Sequence, residues 1–427
     1  METLELQPFQ HPVDAEVEIP GSKSYTNRAL LIAALADGET VVEGALFSDD
    51  TNYMAKSLRR LGIDVVEDQA NARFTVQGCG GKIPASSAEL FVGNSGTTAR
   101  FLTAFVSLGK GEYVIDGSKR MRERPIQDLL DGLEALGVDA KSEAGNGCPP
   151  IRIKANGIRG GRTFVPGDRS SQYFTALLLS VPYAREDVEV RVVGDLVSKP
   201  YLDMTADIMR HFGVDTRNDS YNTFSVQAGL RYRAQPYHIE PDATNATYFF
   251  GAAALTGGKV RVQHLTRESA QGDVRFVEVL EKMGCGIADV DGGIEVTGPE
   301  QLSRIDIDLN DMPDTMPTLC ALAPFADGPV TIRNVAVLRL HETDRIAAME
   351  TELTKLGISL RTWADGIEIQ PADTIIPAEV DTYDDHRMAM SLALIGLRAP
   401  GVVIRDPECV NKTFPTFFDT LARIQPD

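Results

Sequence analysis

Amphipathic helices recur along the chain, and each ends at a glycine that precedes an alternating or β-branched run. Their apolar positions follow the three- and four-residue spacing of a helix with one buried face. Glycine closes a helix in the left-handed conformation at little cost, so each glycine marks a helix end. The segments are SLRRLGIDV, GLEALGVDA, DIMRHFGVDT, VLEKMGCGI and ELTKLGISL, with Gly62, Gly137, Gly213, Gly284 and Gly357 lying 71 to 76 residues apart. This spacing predicts an internal repeat.

A second kind of helix, apolar on every face, precedes each amphipathic one. These segments are RALLIAALA, TARFLTAFVSLG, SQYFTALLLSV, ATYFFGAAAL, TMPTLCALAPFA and RMAMSLALIGL, and the last is followed by a sixth amphipathic segment, TFFDTLARI. A helix that is apolar all round is buried. Runs such as FTVQG, YVIDG, VEVRVVG and VTIRNV predict strands between the helices. The chain is therefore expected to have a mixed α/β (α+β) fold of six units, each of about 71 residues.

Polar and charged residues stand at the start of every apolar helix, in GSKSYTNR, GNSGTT, GDRSSQ, PDATN, MPDT and DDHR. Ser, Thr, Asp and Asn satisfy the unpaired N–H groups of a first helical turn. One capping residue per helix is enough, so capping does not account for Lys23, Arg28, Gln172 or Arg387. A helix N-terminus also carries about half a positive charge and free N–H donors. Several N-termini aimed at one cleft predict an anion-binding site.

Composition narrows the class of protein. A chain of 427 residues exceeds the usual size of one core, which predicts two domains. The formal net charge of −19 disfavours nucleic acid and anionic membranes as partners, so an anionic small substrate requires a local basic pocket. The sequence has no apolar run of the roughly 20 residues that a bilayer span needs, and its N-terminus has no signal or transit pattern. Five scattered cysteines and six histidines without ligand spacing predict a metal-free protein of the reducing cytoplasm.

A basic segment, GSKRMRERPI, contains Lys119, Arg120, Arg122 and Arg124. Two or three of these side chains are expected to be solvated. Arginine offers a planar fork that suits carboxylate or phosphate, so entry of at least one of them into a site stays open.

Carboxylates at helix starts are candidates for proton transfer, because cations and partial burial tune their acidity. They are Asp314, Glu342, Asp384 and Asp385. One of Asp384 and Asp385 is expected to be only an N-cap. In RLHETDR, Thr343 or Asp344 is expected to cap the next helix, which leaves Glu342 and Arg345 for another role. Lys412 in ECVNKTFPTFF is a weak signal by itself.

Taken together, these motifs resemble the 5-enolpyruvylshikimate-3-phosphate synthases (3-phosphoshikimate 1-carboxyvinyltransferases). The matching segments, in their order along the chain, are PGSKSYTNRAL, GNSGTTARFL, RMRERPI, DRSSQYFTALL, LVSKPYLDMT, ETDR, DDHRMAM and CVNKTFP. The resemblance implies the two-domain enolpyruvyl transferase fold, with three βαβαββ units per domain and the active site in the interdomain cleft. The chain would cross between domains near Pro20-Gly21 and Glu240-Pro241. Residues 21–239 would then form one domain, and residues 1–20 plus 240–427 the other.

The resemblance also implies a reaction. The 5-hydroxyl of shikimate 3-phosphate attacks C2 of phosphoenolpyruvate while C3 is protonated, and the tetrahedral adduct then loses phosphate. This transfer belongs to the shikimate pathway of aromatic amino acid biosynthesis. No metal or organic cofactor is implied. The protein would be a cytoplasmic monomer that binds small molecules, not nucleic acid or membrane.

Roles for individual residues follow from the matching motifs. The catalytic residues would be Lys23, Asp314 and Glu342, with Asp314 as base toward the 5-hydroxyl and Glu342 as proton donor to C3. Shikimate 3-phosphate would be bound by Lys23, Ser24, Arg28, Ser170, Ser171, Gln172, Ser198, Tyr201, Asp314 and His341. Phosphoenolpyruvate would be bound by Lys23, Asn94, Gly96, Arg124, Gln172, Arg345, Arg387 and Lys412, with Thr97, Arg100 and His386 nearby. The division of proton-transfer roles among the three catalytic residues stays open.

Two positions depart from the better-known bacterial pattern on the acceptor side. His341 stands where that pattern has a lysine that contacts the shikimate moiety, and Val337 stands where it has an asparagine. Because histidine titrates near neutrality, a contact from His341 predicts acceptor affinity that weakens from pH of about 6 to 8.

Three alternatives remain on the sequence. An enolpyruvyl transferase could act on a different hydroxyl acceptor such as UDP-N-acetylglucosamine, although the loop cysteine of that enzyme is missing near RMRERP. A relative of RNA 3′-phosphate cyclases is disfavoured by the net charge of −19. A non-catalytic homologue that binds phosphorylated metabolites is disfavoured by the presence of all three catalytic residues.

Overall fold

Helices form at all twelve segments whose periodicity predicted them, within residues 2–426, which the computed structural model describes. The apolar helices are the odd-numbered ones and the amphipathic helices the even-numbered ones. Their bounds are α1 Lys23–Leu35, α2 Asp49–Arg60, α3 Gly96–Val106, α4 Gln127–Ala135, α5 Ser171–Ser180, α6 Pro200–His211, α7 Ala243–Thr256, α8 Phe276–Lys282, α9 Met316–Leu322, α10 Arg345–Lys355, α11 His386–Gly396 and α12 Phe417–Arg423. Every described residue of α3 and of α11 is buried, as expected of helices that are apolar all round.

The strands lie between the helices in a regular order. Their bounds are β1 Thr3–Glu5, β2 Asp14–Val17, β3 Asp37–Glu43, β4 Asp64–Asp68, β5 Arg73–Cys79, β6 Ser87–Phe91, β7 Lys110–Asp116, β8 Asp139–Ser142, β9 Ile151–Asn156, β10 Gly161–Pro166, β11 Val188–Val193, β12 Arg217–Asp219, β13 Thr223–Val226, β14 Tyr237–His238, β15 Lys259–Gln263, β16 Gly286–Val290, β17 Gly293–Thr297, β18 Ile305–Asp308, β19 Val330–Arg333, β20 Leu360–Trp363, β21 Gly366–Ile369, β22 Ala378–Val380 and β23 Val402–Arg405. Buried and exposed positions alternate strictly along β9, so one face of its sheet covers the core and the other faces solvent.

The chain divides into two compact units. The continuous unit is Gly21–Glu240, and the discontinuous unit consists of the described residues up to Pro20 and from Pro241 onward. Each unit is described by itself below.

The continuous unit contains three four-stranded sheets of one design. Their strand orders are β14-β3-β5-β4, β6-β7-β9-β8 and β10-β11-β13-β12. In each sheet the first pair is parallel and the other two pairs are antiparallel. Helices α1, α3 and α5 pack against one another inside the unit. Each unit of the repeat is therefore βαβαββ, and the first takes its leading strand, β14, from the far end of the segment.

The discontinuous unit repeats this design. Its sheets have the orders β16-β17-β15-β2, β18-β19-β21-β20 and β1-β23-β22, and helices α7, α9 and α11 pack against one another. The third sheet has three strands among the described residues. Its strand β1, from the beginning of the chain, lies antiparallel beside β23, with Thr3 opposite Arg405. The predicted fold class is confirmed, and strands distant in sequence complete its repeats.

Two further features bear on the sequence predictions. In residues 2–426, no helix has the length and apolar character needed to cross a membrane. All five cysteines are free thiols.

The glycines that end the amphipathic helices support one prediction. Gly62 has φ +83°, and a Cβ there would lie 2.9 Å from Cβ of Pro84, whereas a Cβ on Gly132 inside α4 would meet only ordinary contacts from 3.4 Å outward. Gly62→Ala is expected to lower the free energy of unfolding by about 1–2 kcal/mol, because alanine resists the left-handed conformation. Gly132→Ala is the matched control and is expected to be neutral or stabilising by up to about 1 kcal/mol. Urea denaturation of both variants measures the difference, and equal midpoints would contradict the assignment of Gly62 as a required helix terminator.

Candidate active site

The start of α1 places a lysine against a carboxylate in the continuous unit. Ser22 caps the helix by accepting the N–H of Tyr25, and the half-buried Lys23 follows. The ammonium Nζ of Lys23 lies 3.8 Å from Oδ2 of Asp50, which belongs to α2 and is buried. Sequence reasoning missed Asp50, because an acidic residue in the first turn of an amphipathic helix is common.

Arg28 is buried on α1 and is held by neutral groups. Its guanidinium donates to the carbonyls of Ser24 and Tyr201 and to the hydroxyls of Thr175 and Thr205, at 2.9 to 3.4 Å. Among residues 2–426 no carboxylate lies within 4.0 Å of it. Burial lowers the pKa of Arg28 to about 10, since water is removed without a compensating anion. The site therefore holds a positive charge that an anionic ligand can neutralise.

The starts of α3 and α5 meet around Gly96. Arg124 donates to the carbonyl of Asn94 at 3.0 Å, and Arg100 donates to Oε1 of Gln172 at 2.9 Å. A Cβ on Gly96 would lie 2.4 Å from Nη1 of Arg100 and 2.6 Å from Nη2 of Arg124. Glycine therefore leaves the room that two guanidinium groups occupy at the helix start. A further bond, from Nε2 of Gln172 to the hydroxyl of Thr97 at 3.3 Å, ties α5 to α3.

Serines also stand at the starts of α5 and α6. Ser170 caps α5 by accepting the N–H of Gln172 at 3.2 Å, and Ser171 is buried beside it. Ser198 precedes α6 with φ +55°, and its carbonyl accepts the N–H of Tyr201 at 3.2 Å. A non-glycine residue in this conformation costs about 1–3 kcal/mol, and such strain often marks functional positions.

Arg345, at the first position of α10, is a cation of the discontinuous unit with three carboxylate partners. It is almost fully buried and donates to three carboxylates: both oxygens of Asp385 at 2.8 and 3.2 Å, Oδ1 of Asp314 at 2.8 Å and Oε2 of Glu342 at 3.0 Å. Burial opposes its charge, but the three carboxylates hold the pKa of Arg345 above its ordinary value. The guanidinium is thus fixed as a permanent cation.

Two more cations complete this group, which we call the Arg345 cluster: Arg345, Arg387, Lys412, Asp314, Glu342 and Asp385. Nη2 of Arg387 lies 2.9 Å from Oδ2 of Asp314, and Nζ of Lys412 lies 3.7 Å from Oε1 of Glu342. All three cations are buried. Their formal charges equal those of the three carboxylates, so the cluster is balanced. Lys412, a weak signal in the sequence, thus lies inside the cluster.

Asp314 bridges the two arginines and is ionised. Burial raises the pKa of its carboxyl, but Arg387, Arg345 and a hydrogen bond with His341 together hold that pKa well below its ordinary value. His341 Nδ1 lies 3.1 Å from Nη1 of Arg345 and 3.5 Å from Oδ1 of Asp314. Burial lowers the pKa of His341. His341 therefore loses its proton at a lower pH than the range of about 6 to 8 over which the sequence predicted a change in acceptor affinity.

The predicted helix caps are confirmed at Asp344 and Asp385, which accept N–H groups from α10 and α11. Asp385 does more than cap, because the same carboxylate clamps Arg345. In the basic segment, Lys119 and Arg122 are exposed and Arg120 pairs with Glu123, whereas Arg124 is buried in the site. Fully buried His386 has its Nδ1 3.7 Å from Oδ1 of Asp385.

Asp273 is a buried carboxyl that no motif indicated. It follows Gln271, which accepts the N–H of Ala243 at the start of α7, and its carboxyl receives a hydrogen bond from the hydroxyl of Thr244. Burial and the nearby charge of Asp314 raise the pKa of Asp273 to about 7. No sequence signal could have found it, because a single Asp in a short turn looks like an ordinary loop residue.

The described part of the chain, residues 2–426, contains no group of three or more His, Cys, Asp and Glu side chains arranged to hold a metal ion. What both units share is a set of buried cations at helix starts, flanked by hydroxyls and carboxylates. Such an arrangement binds small polyanions and can place charged groups at a reacting centre.

Comparison with known proteins gives one family. The family model described as EPSP synthase (3-phosphoshikimate 1-carboxyvinyltransferase) matches residues 9–421. A protein of Nostoc punctiforme named 3-phosphoshikimate 1-carboxyvinyltransferase is 52% identical over 418 residues, covering 98% of each chain. A chloroplastic protein of that name from Arabidopsis thaliana is 47% identical over 436 residues, covering 98% of this chain and 84% of its own. The solved structure of an EPSP synthase from Acinetobacter baumannii matches with a TM-score of 0.83 and 26% identity, covering 100% of this chain and 98% of that one.

The double role of Asp385 supports a prediction on stability. Asp385→Asn keeps a good helix cap but removes the anion that Arg345 clamps, so it should cost about 3 kcal/mol of unfolding free energy. Asp344→Asn is the matched control, since it also keeps a cap but breaks only the partly exposed pair with Arg339, worth below about 1 kcal/mol. Urea denaturation compares the two variants. Equal losses would show that Asp385 acts only as a cap.

The raised pKa of Asp273 supports a prediction on pH. The folded protein keeps this proton up to pH of about 7, whereas the unfolded chain releases it near 4, so stability falls as pH rises through that window and is level above it. Asp273→Asn removes this dependence and still accepts from Thr244. Relative to wild type, the variant should gain about 2 kcal/mol between pH 5 and pH 7. Denaturation across pH measures it, with exposed Asp373→Asn as control. A constant difference at all pH values would contradict the raised pKa.

Proposed function

This chain belongs to the EPSP synthase (3-phosphoshikimate 1-carboxyvinyltransferase) family, and on that premise we propose that it transfers the enolpyruvyl group of phosphoenolpyruvate to the 5-hydroxyl of shikimate 3-phosphate. In the first step a bond forms between the hydroxyl oxygen and C2, the hydroxyl proton leaves to a base, and C3 takes up a proton. In the second step the bond between C2 and the phosphate oxygen breaks and C3 returns a proton. The products are an enol ether and inorganic phosphate.

The Arg345 cluster is the observation that carries this proposal. Phosphoenolpyruvate combines a carboxylate with a phosphate, and the buried cations Arg345, Arg387 and Lys412 suit both groups. Each of these cations already contacts Asp314 or Glu342, so an anionic substrate has to share them with the carboxylates. We assign the same substrate to Lys23, Asn94, Gly96, Arg124 and Gln172 in the continuous unit. Arg124 supports this assignment, because it is a buried cation that donates to the carbonyl of Asn94 beside the start of α3.

Arg28 supports the binding of an anionic acceptor. The guanidinium of Arg28 is held by four hydrogen bonds that it donates to neutral oxygens. Among residues 2–426 its charge has no carboxylate partner. Ser24 and Arg28 would hold the carboxylate side of shikimate 3-phosphate. Its phosphate and ring would be held by Ser170, Ser171, Gln172, Ser198 and Tyr201, with Asp314 and His341 completing the set. Hydroxyls and backbone N–H groups at helix starts are suitable phosphate donors.

Proton transfer is assigned by charge. Asp314 is ionised and can accept the proton of the 5-hydroxyl. Glu342 lies between Arg345 and Lys412, and an anion that takes up the charge of these cations favours the protonated form of the neighbouring carboxyl. Glu342 is therefore the proposed proton donor to C3, and Lys23 is proposed to stabilise the developing charge.

We propose a monomer of the cytoplasm that acts on small molecules without a cofactor. Five free thiols are consistent with a reducing compartment.

A direct assay tests the function. Purified protein is mixed with phosphoenolpyruvate, with and without shikimate 3-phosphate, and phosphate release is measured together with the mass of the organic product. Phosphate release that requires both substrates, with formation of the enolpyruvyl ether, is expected. Release with UDP-N-acetylglucosamine as the acceptor instead would favour the alternative acceptor, and binding of both ligands without turnover would favour a non-catalytic homologue.

Gly96 supports a prediction on substrate affinity. Gly96→Ala adds a Cβ that displaces the ends of Arg124 and Arg100. A misplacement of about 1 Å can cost up to 10²-fold, so KM for phosphoenolpyruvate should rise by about tenfold or more. KM for shikimate 3-phosphate should change by less than about twofold, because Arg28 and its partners are untouched and Gln172 alone of the acceptor residues bonds to a displaced guanidinium, that of Arg100. Steady-state kinetics measure both constants, with Gly132→Ala as control. An unchanged KM for phosphoenolpyruvate would remove Gly96 and Arg124 from its site.

A further inference from the structure

Glu352 is a fully buried carboxylate outside the Arg345 cluster. It lies in the third turn of α10, where a glutamate of an amphipathic helix is expected to face solvent, yet its exposure is 0%. Burying an ionised carboxylate is costly unless donors replace water. Buried Glu352 therefore needs hydrogen-bond donors that replace the water it has lost.

The donors to Glu352 come mainly from the segment before α11. Oε1 accepts from the hydroxyl of Tyr383 at 2.5 Å, and Oε2 accepts from the backbone N–H of Asp381 at 2.9 Å. Lys355 on the same helix lies 2.8 Å from Oε2 and also binds Oδ2 of Asp381 at 2.7 Å. Burial and the charge of Glu352 raise the pKa of Tyr383 to about 12, so the tyrosine stays a donor. Glu352 thus anchors the segment 381–385.

This segment is strained. Tyr383 and Asp384 have φ of +58° and +53°, two consecutive non-glycine residues in the left-handed region. Each costs about 1–3 kcal/mol and persists only when surrounding contacts fix it. The N–H of Asp385 bonds to the carbonyl of Thr382 at 2.9 Å, which closes the turn. Contacts from Glu352 supply part of the stabilisation that the strained turn requires.

Helix α10 also contacts the other end of segment 381–385, at Asp385. Arg345 and Glu352 are seven residues apart, about two turns of α10, so they lie on one face. Arg345 clamps Asp385, and two residues later Arg387 contacts Asp314. The segment is therefore held at both ends by α10, and its position sets where Asp385 and Arg387 lie.

We infer that Glu352, acting through Tyr383 and the backbone of Asp381, is a positioning residue for the Arg345–Arg387 guanidinium pair. It fixes the strained turn whose Asp385 orients Arg345 and whose next residues begin α11 with Arg387. The inference rests on the proposed function, in which these two arginines bind phosphoenolpyruvate. Loss of the anchor lets the turn relax and moves both guanidinium groups, while Arg28 and the serines assigned to the acceptor in the continuous unit keep their contacts.

Three variants test this, with kcat and KM measured for each substrate. Tyr383→Phe removes one hydrogen bond at a side chain that is 40% exposed, so folding should be retained. Glu352→Gln keeps the size but presents an amide N–H₂ to one of the donors. Glu350→Gln is the matched control on the same helix, where the exposed Glu350 accepts from Thr362. Thermal unfolding confirms that each protein is folded at the assay temperature.

The expected result is a selective loss. KM for phosphoenolpyruvate should rise about threefold in Tyr383→Phe and about tenfold in Glu352→Gln, with KM for shikimate 3-phosphate within about twofold of wild type. Glu350→Gln should match wild type. A purely structural role would lower kcat through a smaller folded fraction and leave both KM values unchanged, which would overturn the inference. An unchanged KM for phosphoenolpyruvate in folded Tyr383→Phe overturns it even if Glu352→Gln fails to fold. Absence of turnover in wild type and Glu350→Gln would instead overturn the proposed function, and this inference with it.

Discussion

A positive charge can be buried only where other groups replace the water that it loses, and this constraint organises the protein. Arg345 shows it most clearly, because one guanidinium accounts for the placement of three carboxylates on three separate segments. One of them, Asp385, begins α11, and another, Asp314, precedes α9. Removing any partner leaves uncompensated charge in a medium of low dielectric constant. The starts of α9, α10 and α11 are thus held together by electrostatic interactions as well as by apolar packing.

The repeat explains how a chain with a net charge of −19 assembles several cation sites. Each βαβαββ unit buries one apolar helix, and burying a helix creates an N-terminus whose N–H groups need acceptors. The caps Ser22, Ser95, Ser170, Asp242 and Asp385 meet that need with side-chain oxygens. A cation next to such a cap is partly desolvated and lies among the oriented dipoles of the cap and of the first helical turn. The fold therefore supplies the same kind of site repeatedly, and the side chains at each start determine its chemistry.

Sequence reasoning succeeded where the signal was local. All-round apolar segments, terminating glycines and caps are properties of a few neighbouring residues, so the twelve helices and the repeat could be predicted. Pairings such as β1 with β23 could not, because they join segments about 400 residues apart with no shared pattern. Within the site, Asp385 was expected to cap a helix. Its hydrogen bonds with Arg345 could not be predicted, because the two residues are distant in sequence and meet only in the fold. Asp273 and Glu352 were missed for the same reason, since a buried acid carries no mark in the sequence.

Arg28 and Arg345 are stabilised as buried charges in different ways, and this difference bears on binding. In the continuous unit Arg28 is held by neutral oxygens, and burial lowers its pKa to about 10. In the discontinuous unit Arg345 is held by carboxylates that raise its pKa. An anion that reaches Arg28 gains the full attraction of a charge with no carboxylate beside it in residues 2–426. An anion that reaches Arg345 competes with carboxylates and changes their own protonation. In the proposed reaction, the first arrangement serves binding of the anion, and the second couples binding to the proton transfers to and from carbon.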